Sequence, residues 1–141
     1  MAKYSVFTKP WKDVPVDELI RIVTGMGYNS IEFPLRDGSQ VCPAEAEEKL
    51  PKLVKQLGDA GIVIDDVASS TEERVFAACA ASKIPMIRVM FNPPQADDYP
   101  AQEYEYCKLV DSWIPLCEKY GVKVGVQMHH GRGAMTTADM M

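Results

Sequence analysis

The side chains able to bind or react with a small molecule fall at a few places in this 141-residue chain. Its only two histidines, His129 and His130, adjoin, and Gln127 lies two residues before the first. Imidazole changes charge near neutral pH and ligates metals, so an adjoining pair favours a functional reading, more for His129 than for His130. Glu32 and Arg36 lie four residues apart around an apolar core sequence, and Arg88 sits between Ile87 and Val89 with Asn92 just beyond. An isolated charge among buried apolar residues costs several kcal/mol, on the order of 5 or more, unless it is paired or liganded. Glu32 and Arg88 are therefore expected either to pair with each other structurally or to hold a substrate or metal. Asp65-Asp66 reads as a strand-end or helix-capping feature, and Lys9, beside Pro10 and Trp11, as a solvated loop residue or a ligand for substrate.

The elements that must position these residues repeat one pattern, a short apolar run followed by a polar connection and a stretch with helical periodicity. Strands are expected at 4–8, 31–35, 62–67, 86–91 and 122–128, all short and rich in β-branched or aromatic residues. Between them Val16, Leu19, Ile20 and Val23 fall at helical spacing, as do Leu50, Leu53, Val54 and Leu57, and then Leu109, Val110, Trp113, Ile114 and Cys117. Each stripe should cover a sheet. A further helix is expected at about 71–82, opened by Thr71 and the acidic pair Glu72-Glu73. Pro51 and Pro115 lie inside helical segments and should mark a first turn or a kink.

Three helical segments stop at a glycine that leads straight into a strand, at Gly27, Gly61 and Gly121, the signature of a tight helix-to-strand turn. Helices in every crossover imply a parallel sheet, either open and doubly wound or closed as a barrel. Length favours the open sheet, because an eight-stranded barrel typically needs about 250 residues. Against it, the first connection, residues 9–13, contains no glycine to cradle a phosphate. In both architectures ligands bind at the carboxyl ends of the strands. Strand alternation puts Glu32 with Arg36 on the face opposite Ile31, Phe33 and Leu35, and Gln127 with His129 opposite Val126 and Met128.

Composition narrows the class further. With 47% apolar and 25% charged residues, the chain can bury a real core as one domain over residues 1–141. A formal net charge of -5 argues against nucleic acid as a partner. No apolar run approaches the roughly 20 residues of a membrane helix, and nothing at the N-terminus reads as a signal peptide. Cys42, Cys79, Cys107 and Cys117 show no metal or disulfide spacing and read as reduced, buried small hydrophobes, consistent with a cytoplasmic protein. The eight methionines, Met135, Met140 and Met141 included, read as core filler or the start of another helix.

Three segments in order, Phe7 to Trp11, Gly27 to Pro34 and Gly125 to Gly131, resemble the sugar phosphate isomerase/epimerase family, xylose isomerase-like TIM barrels. The resemblance spans essentially the whole chain. It implies a partial (β/α)8 TIM barrel of about five parallel strands and four helices, with a small sugar or polyol as substrate. It implies hydrogen movement between carbons next to a carbonyl, with Glu32 or His129 as base. Lys9, Arg36, Arg88 and His130 would then bind substrate, Arg88 or Lys9 holding the enediolate-like charge. The family's divalent cation (Mn, Mg, Co or Zn) would be met here by Gln127, which stands where many members carry a metal-binding Glu, and an amide oxygen is a poorer ligand for a hard cation. With five strands expected, the resemblance also leads us to expect a homo-oligomer or a complementary barrel fragment as partner, or a non-catalytic half-barrel that works by assembly or ligand binding.

Overall fold

A computed structural model describes residues 4–91 and 99–127. Within them five strands alternate with four helices: β1 (Val6–Phe7), α1 (Val16–Gly25), β2 (Ser30–Pro34), α2 (Ala46–Asp59), β3 (Val63–Ala68), α3 (Glu73–Ala81), β4 (Met86–Val89), α4 (Tyr99–Tyr120) and β5 (Lys123–Val126). Short 3₁₀ turns at Lys9–Trp11 and Pro43–Glu45 precede α1 and α2. The first strand is shorter than the expected 4–8, and β4 stops at Val89 rather than running to residue 91.

Strand order decides between the two architectures left open by periodicity. All pairs are parallel and the order is β1-β2-β3-β4-β5. A doubly wound sheet reverses its order at a switch point; among the described strands there is no reversal. Successive helices pack on each other, α1 on α2, α2 on α3 and α3 on α4, as the outer ring of a barrel does. The architecture is a partial (β/α) barrel.

The core lies between that helix layer and the outer face of the sheet. Leu19 and Val23 of α1, Leu50, Leu53 and Leu57 of α2, and Val75, Phe76 and Cys79 of α3 meet Ile31, Phe33, Ile64, Val67 and Ile87 from the strands. Burying each large aliphatic side chain contributes about 1.5–3 kcal/mol. In α4 the inward stripe is Tyr106, Trp113 and Tyr120, with Trp113 stacked on Phe91 at 5.9 Å between ring centroids. Val110 and Ile114 lie on its flank and are exposed with Leu109, so the expected stripe covers the sheet only in part. The cysteine expectation is also corrected. Cys79 is buried, and burial pushes its thiol up to about 12, but Cys42 and Cys117 are half-buried and Cys107 is exposed.

The helix-to-strand turns follow the expected design at Gly27, Gly61 and Gly121, whose φ angles of +80°, +77° and +66° lie in the left-handed region. The fourth such turn uses Lys83 in the same conformation, with φ at +58°. Thr71 does not cap α3; Glu72 precedes the helix without a capping side-chain bond. Pro51 sits past the first turn of α2, and the helix continues to Asp59 without the hydrogen bond Pro51 cannot donate. Pro115 likewise lies inside α4.

Candidate active site

The inner face of the sheet carries the polar residues. In β2 the alternation holds: Ile31 and Phe33 are fully buried under the helices while Ser30, Glu32 and Pro34 take the other face. Register then places Phe7 of β1 and Asp66 of β3 on either side of Glu32. One row higher, Pro34, Ala68, Arg88 and Gly125 are aligned across β2 to β5. The row-neighbours of Arg88 are thus an alanine and a glycine. With so little side chain beside it, the guanidinium is free to lean over β3 toward β2.

Arg88 uses that freedom fully. Its Nε donates to Oε1 of Glu32 at 2.6 Å, its Nη2 donates to the same oxygen, and its Nη1 donates to Oε1 of Gln127 beyond β5. Its guanidinium carbon also lies 4.9 Å from the centroid of the Phe7 ring on β1, a cation–π contact. β1 and β4 are three inter-strand steps apart, roughly 14 Å in a flat sheet. The long Arg88 side chain covers that span by leaning over β3, a reach that the concave surface of a barrel wall shortens. Arg88 joins residues from both ends of the described sheet.

The expected ion pair between Glu32 and Arg88 is present, and Gln127 is brought into it. Gln127 lies just past β5 but stays in the ladder, its backbone N–H donating to Val89 O at 2.8 Å. Arg36 falls beyond the end of β2, so alternation does not place it. A turn does, and its Nε donates to Ala68 O at 3.2 Å. Burial lowers its pKa, as does the charge of Arg88, while Glu32 raises it. Lys9 is exposed at the start of its 3₁₀ turn, and no contact among the described residues draws it into this cluster. His129, His130 and Asn92 lie outside the described residues, as do the C-terminal methionines.

One member of the cluster escapes a reading by alternation. Ile31 pairs with Ile64 but Glu32 pairs with Asp66, so β3 has one residue more than β2 at this point, a β-bulge at Asp65. Ile64 and Val67 both face the helices, and the acidic pair between them turns inward together. Asp65 accepts a hydrogen bond from the Ser30 hydroxyl. Asp66 is pushed up to about 6, chiefly by burial, then by the Glu32 charge, with Arg88 opposing and Asp65 adding slightly. The missed signal is the three-residue spacing of Ile64 and Val67, which an unbulged strand would put on opposite faces.

A divalent cation needs several oxygen ligands with free lone pairs. Here Oε1 of Glu32 and Oε1 of Gln127 both receive the Arg88 guanidinium, whose own charge opposes a cation between them. Among the described residues no three His, Cys, Asp or Glu side chains converge as a metal site. The described donors do not fit a metal held at Gln127. An open cleft of about 740 Å³ is walled by the segments that follow β2, β3 and β4, with Arg36, Ser69 and Thr71 beside Leu35, Val89 and Trp113 of its lining. Among the described residues no helix is long and apolar enough to cross a membrane.

No protein-family model and no curated protein sequence matches the chain. Solved structures do. A D-psicose 3-epimerase determined in the presence of D-fructose aligns over 96% of this chain at a TM-score of 0.64 and 15% identity. A xylose isomerase-like protein from Rhodospirillum rubrum aligns over 96% at a TM-score of 0.70 and 19% identity. The chain spans 55% and 57% of the length of these two proteins. The parallel sheet, its unreversed strand order and these two similarities agree on one fold, a partial TIM barrel.

Proposed function

We propose that the lumen cluster is part of a site that moves a proton between carbons adjoining the carbonyl of a small sugar, as an isomerase or epimerase does. The observation that carries this reading is Arg88, which presents a guanidinium at the carboxyl ends of the strands and joins Glu32 to Gln127 there. When a base removes the proton next to a carbonyl, the electron pair left behind moves to the carbonyl oxygen. The oxygen becomes an enediolate anion, and a fixed cationic donor beside it lowers the barrier. Return of a proton to the same carbon from the other side gives an epimer; return to the former carbonyl carbon gives an isomer. Arg88 supplies the charge, Arg36 and Lys9 contribute to substrate binding, and a carboxylate of the cluster or His129 moves the proton. The similarity to a D-psicose 3-epimerase supports this class of substrate, a ketose, without naming it.

A second reading follows from the same residue. The donors of Arg88 are already taken up by Glu32 and Gln127, as in a purely structural ion pair, and this favours a half-barrel that binds a sugar without converting it. Incubating the chain with D-fructose or D-psicose and following both sugars by NMR separates the two. Interconversion is the expected result. Line broadening without conversion would favour the binding reading, and neither effect would overturn both.

A further inference from the structure

Two inner-face carboxylates adjoin Arg88, and they are not equivalent. Glu32 is committed, since one of its oxygens takes two donors from Arg88. A carboxylate oxygen that already takes two donors must leave that pair before it can meet a substrate proton. Asp66 is its register partner on the neighbouring strand and is turned to the same face by the bulge. The structure assigns Asp66 as the group that takes up and returns the substrate proton, and Glu32 as the positioning residue that aims Arg88. This deepens the proposed function and depends on it.

The bulge makes the assignment physical. Without the extra residue, alternation would send one of Asp65 and Asp66 into the helix layer. With it both face inward and divide the work: Asp65 is tied to the Ser30 hydroxyl low on the sheet, while Asp66 stands level with Glu32. The groups facing Asp66 are Glu32 from β2, Arg88 from β4 and Asp65 from its own strand. Their balance with burial leaves it near pH 6, where a base is both deprotonated at neutral pH and still strong enough to abstract. In the step itself the Asp66 carboxylate gains the carbon-bound proton, the carbon–hydrogen pair becomes the enediolate, and the oxygen charge faces Arg88. The reverse transfer restores the carboxylate, so no oxidant or reductant is consumed.

The test is the rate at which the chain exchanges the carbon-bound protons beside the D-fructose carbonyl for deuterium in D₂O, read by NMR across pH 4.5 to 8. Wild-type exchange should rise through pH about 6, following Asp66. Asp66→Asn should slow it by about 100-fold or more and remove the rise, and Asp66→Glu should recover part of the rate. Glu32→Gln, which keeps an acceptor for Arg88, should lose less than about tenfold and keep a rise, moved to lower pH because the Glu32 charge no longer lifts Asp66. Undiminished exchange in Asp66→Asn, or a larger loss in Glu32→Gln than in Asp66→Asn, would overturn the assignment alone. Absence of exchange by the wild-type chain would overturn the proposed function and the role of Asp66 with it.

Discussion

Arg88 on β4 donates from Nε to Oε1 of Glu32 on β2 at 2.6 Å, reaching across β3 to do so. Both side chains are largely buried, 11% and 22% exposed, so each charge relies on the other in place of water. Removing one partner leaves the other stranded, which is worth about 3 kcal/mol. Arg88→Met should therefore lower the unfolding free energy by about that amount at pH 7. It also removes the Arg88 charge that opposes the upward push on Asp66, so the folded-state pKa of Asp66 rises further. A carboxylate raised on folding destabilises above its folded pKa and is neutral in its effect below its unfolded value. The deficit of Arg88→Met should thus shrink as pH falls from 7 toward 4 in urea denaturation.

Asp66 shows the same linkage in the wild-type protein. Its pKa is raised from 3.8 to about 6, so between those values the folded chain holds the proton more tightly and stability falls as pH rises. Asp66→Asn removes that penalty. The variant should be more stable than wild type at pH 7, by on the order of 1 kcal/mol once solvent screening is allowed for, and indistinguishable below pH about 4. Equal stability at both pH values would contradict the raised pKa. A gain in stability with a loss of turnover is the pattern expected when a strained charge serves function.

The reach of Arg88 depends on the small side chain under it. Ala68 is fully buried and lies in the same row, on the face Arg88 must cross. Ala68→Leu should fill that space and push the guanidinium off Glu32, with an overpacking cost of about 1–3 kcal/mol and a further loss from the broken pair. Combined with Glu32→Gln, its effect on unfolding should be clearly less than additive, because the pair can be lost only once. Strict additivity would mean that Arg88 does not pass over Ala68.

Much of this arrangement is legible in the sequence, and the exceptions have definite causes. Glycines at 27, 61 and 121 mark three helix ends because they alone among residue types take a positive φ without strain, whereas Lys83 makes the fourth turn with no compositional sign of it. Alternation finds Glu32 because β2 is regular, and fails at Asp66 because one inserted residue shifts β3 out of phase. Alternation groups Arg36 with Glu32 only if the extended backbone of the expected strand 31–35 carries on one residue; the strand ends at Pro34, and a turn carries Arg36 near the cluster instead. The choice between barrel and open sheet is a matter of strand order, which no local pattern encodes. Apolar residues at helical spacing in α4 do not reveal which flank meets the sheet, so the spacing predicts Val110 and Ile114 inward, whereas both are exposed.

Whether Arg88 supplies the charge for chemistry at a sugar carbonyl is tested most directly by deuterium exchange into D-fructose, comparing wild type with Arg88→Met at pH 7 in samples whose circular dichroism agrees. Loss of one fixed cationic donor from such a site slows the chemical step by about 100-fold or more, and that is the predicted difference. Equal exchange by the two proteins would contradict it, and would leave the Arg88–Glu32–Gln127 cluster as a structural brace of the barrel wall.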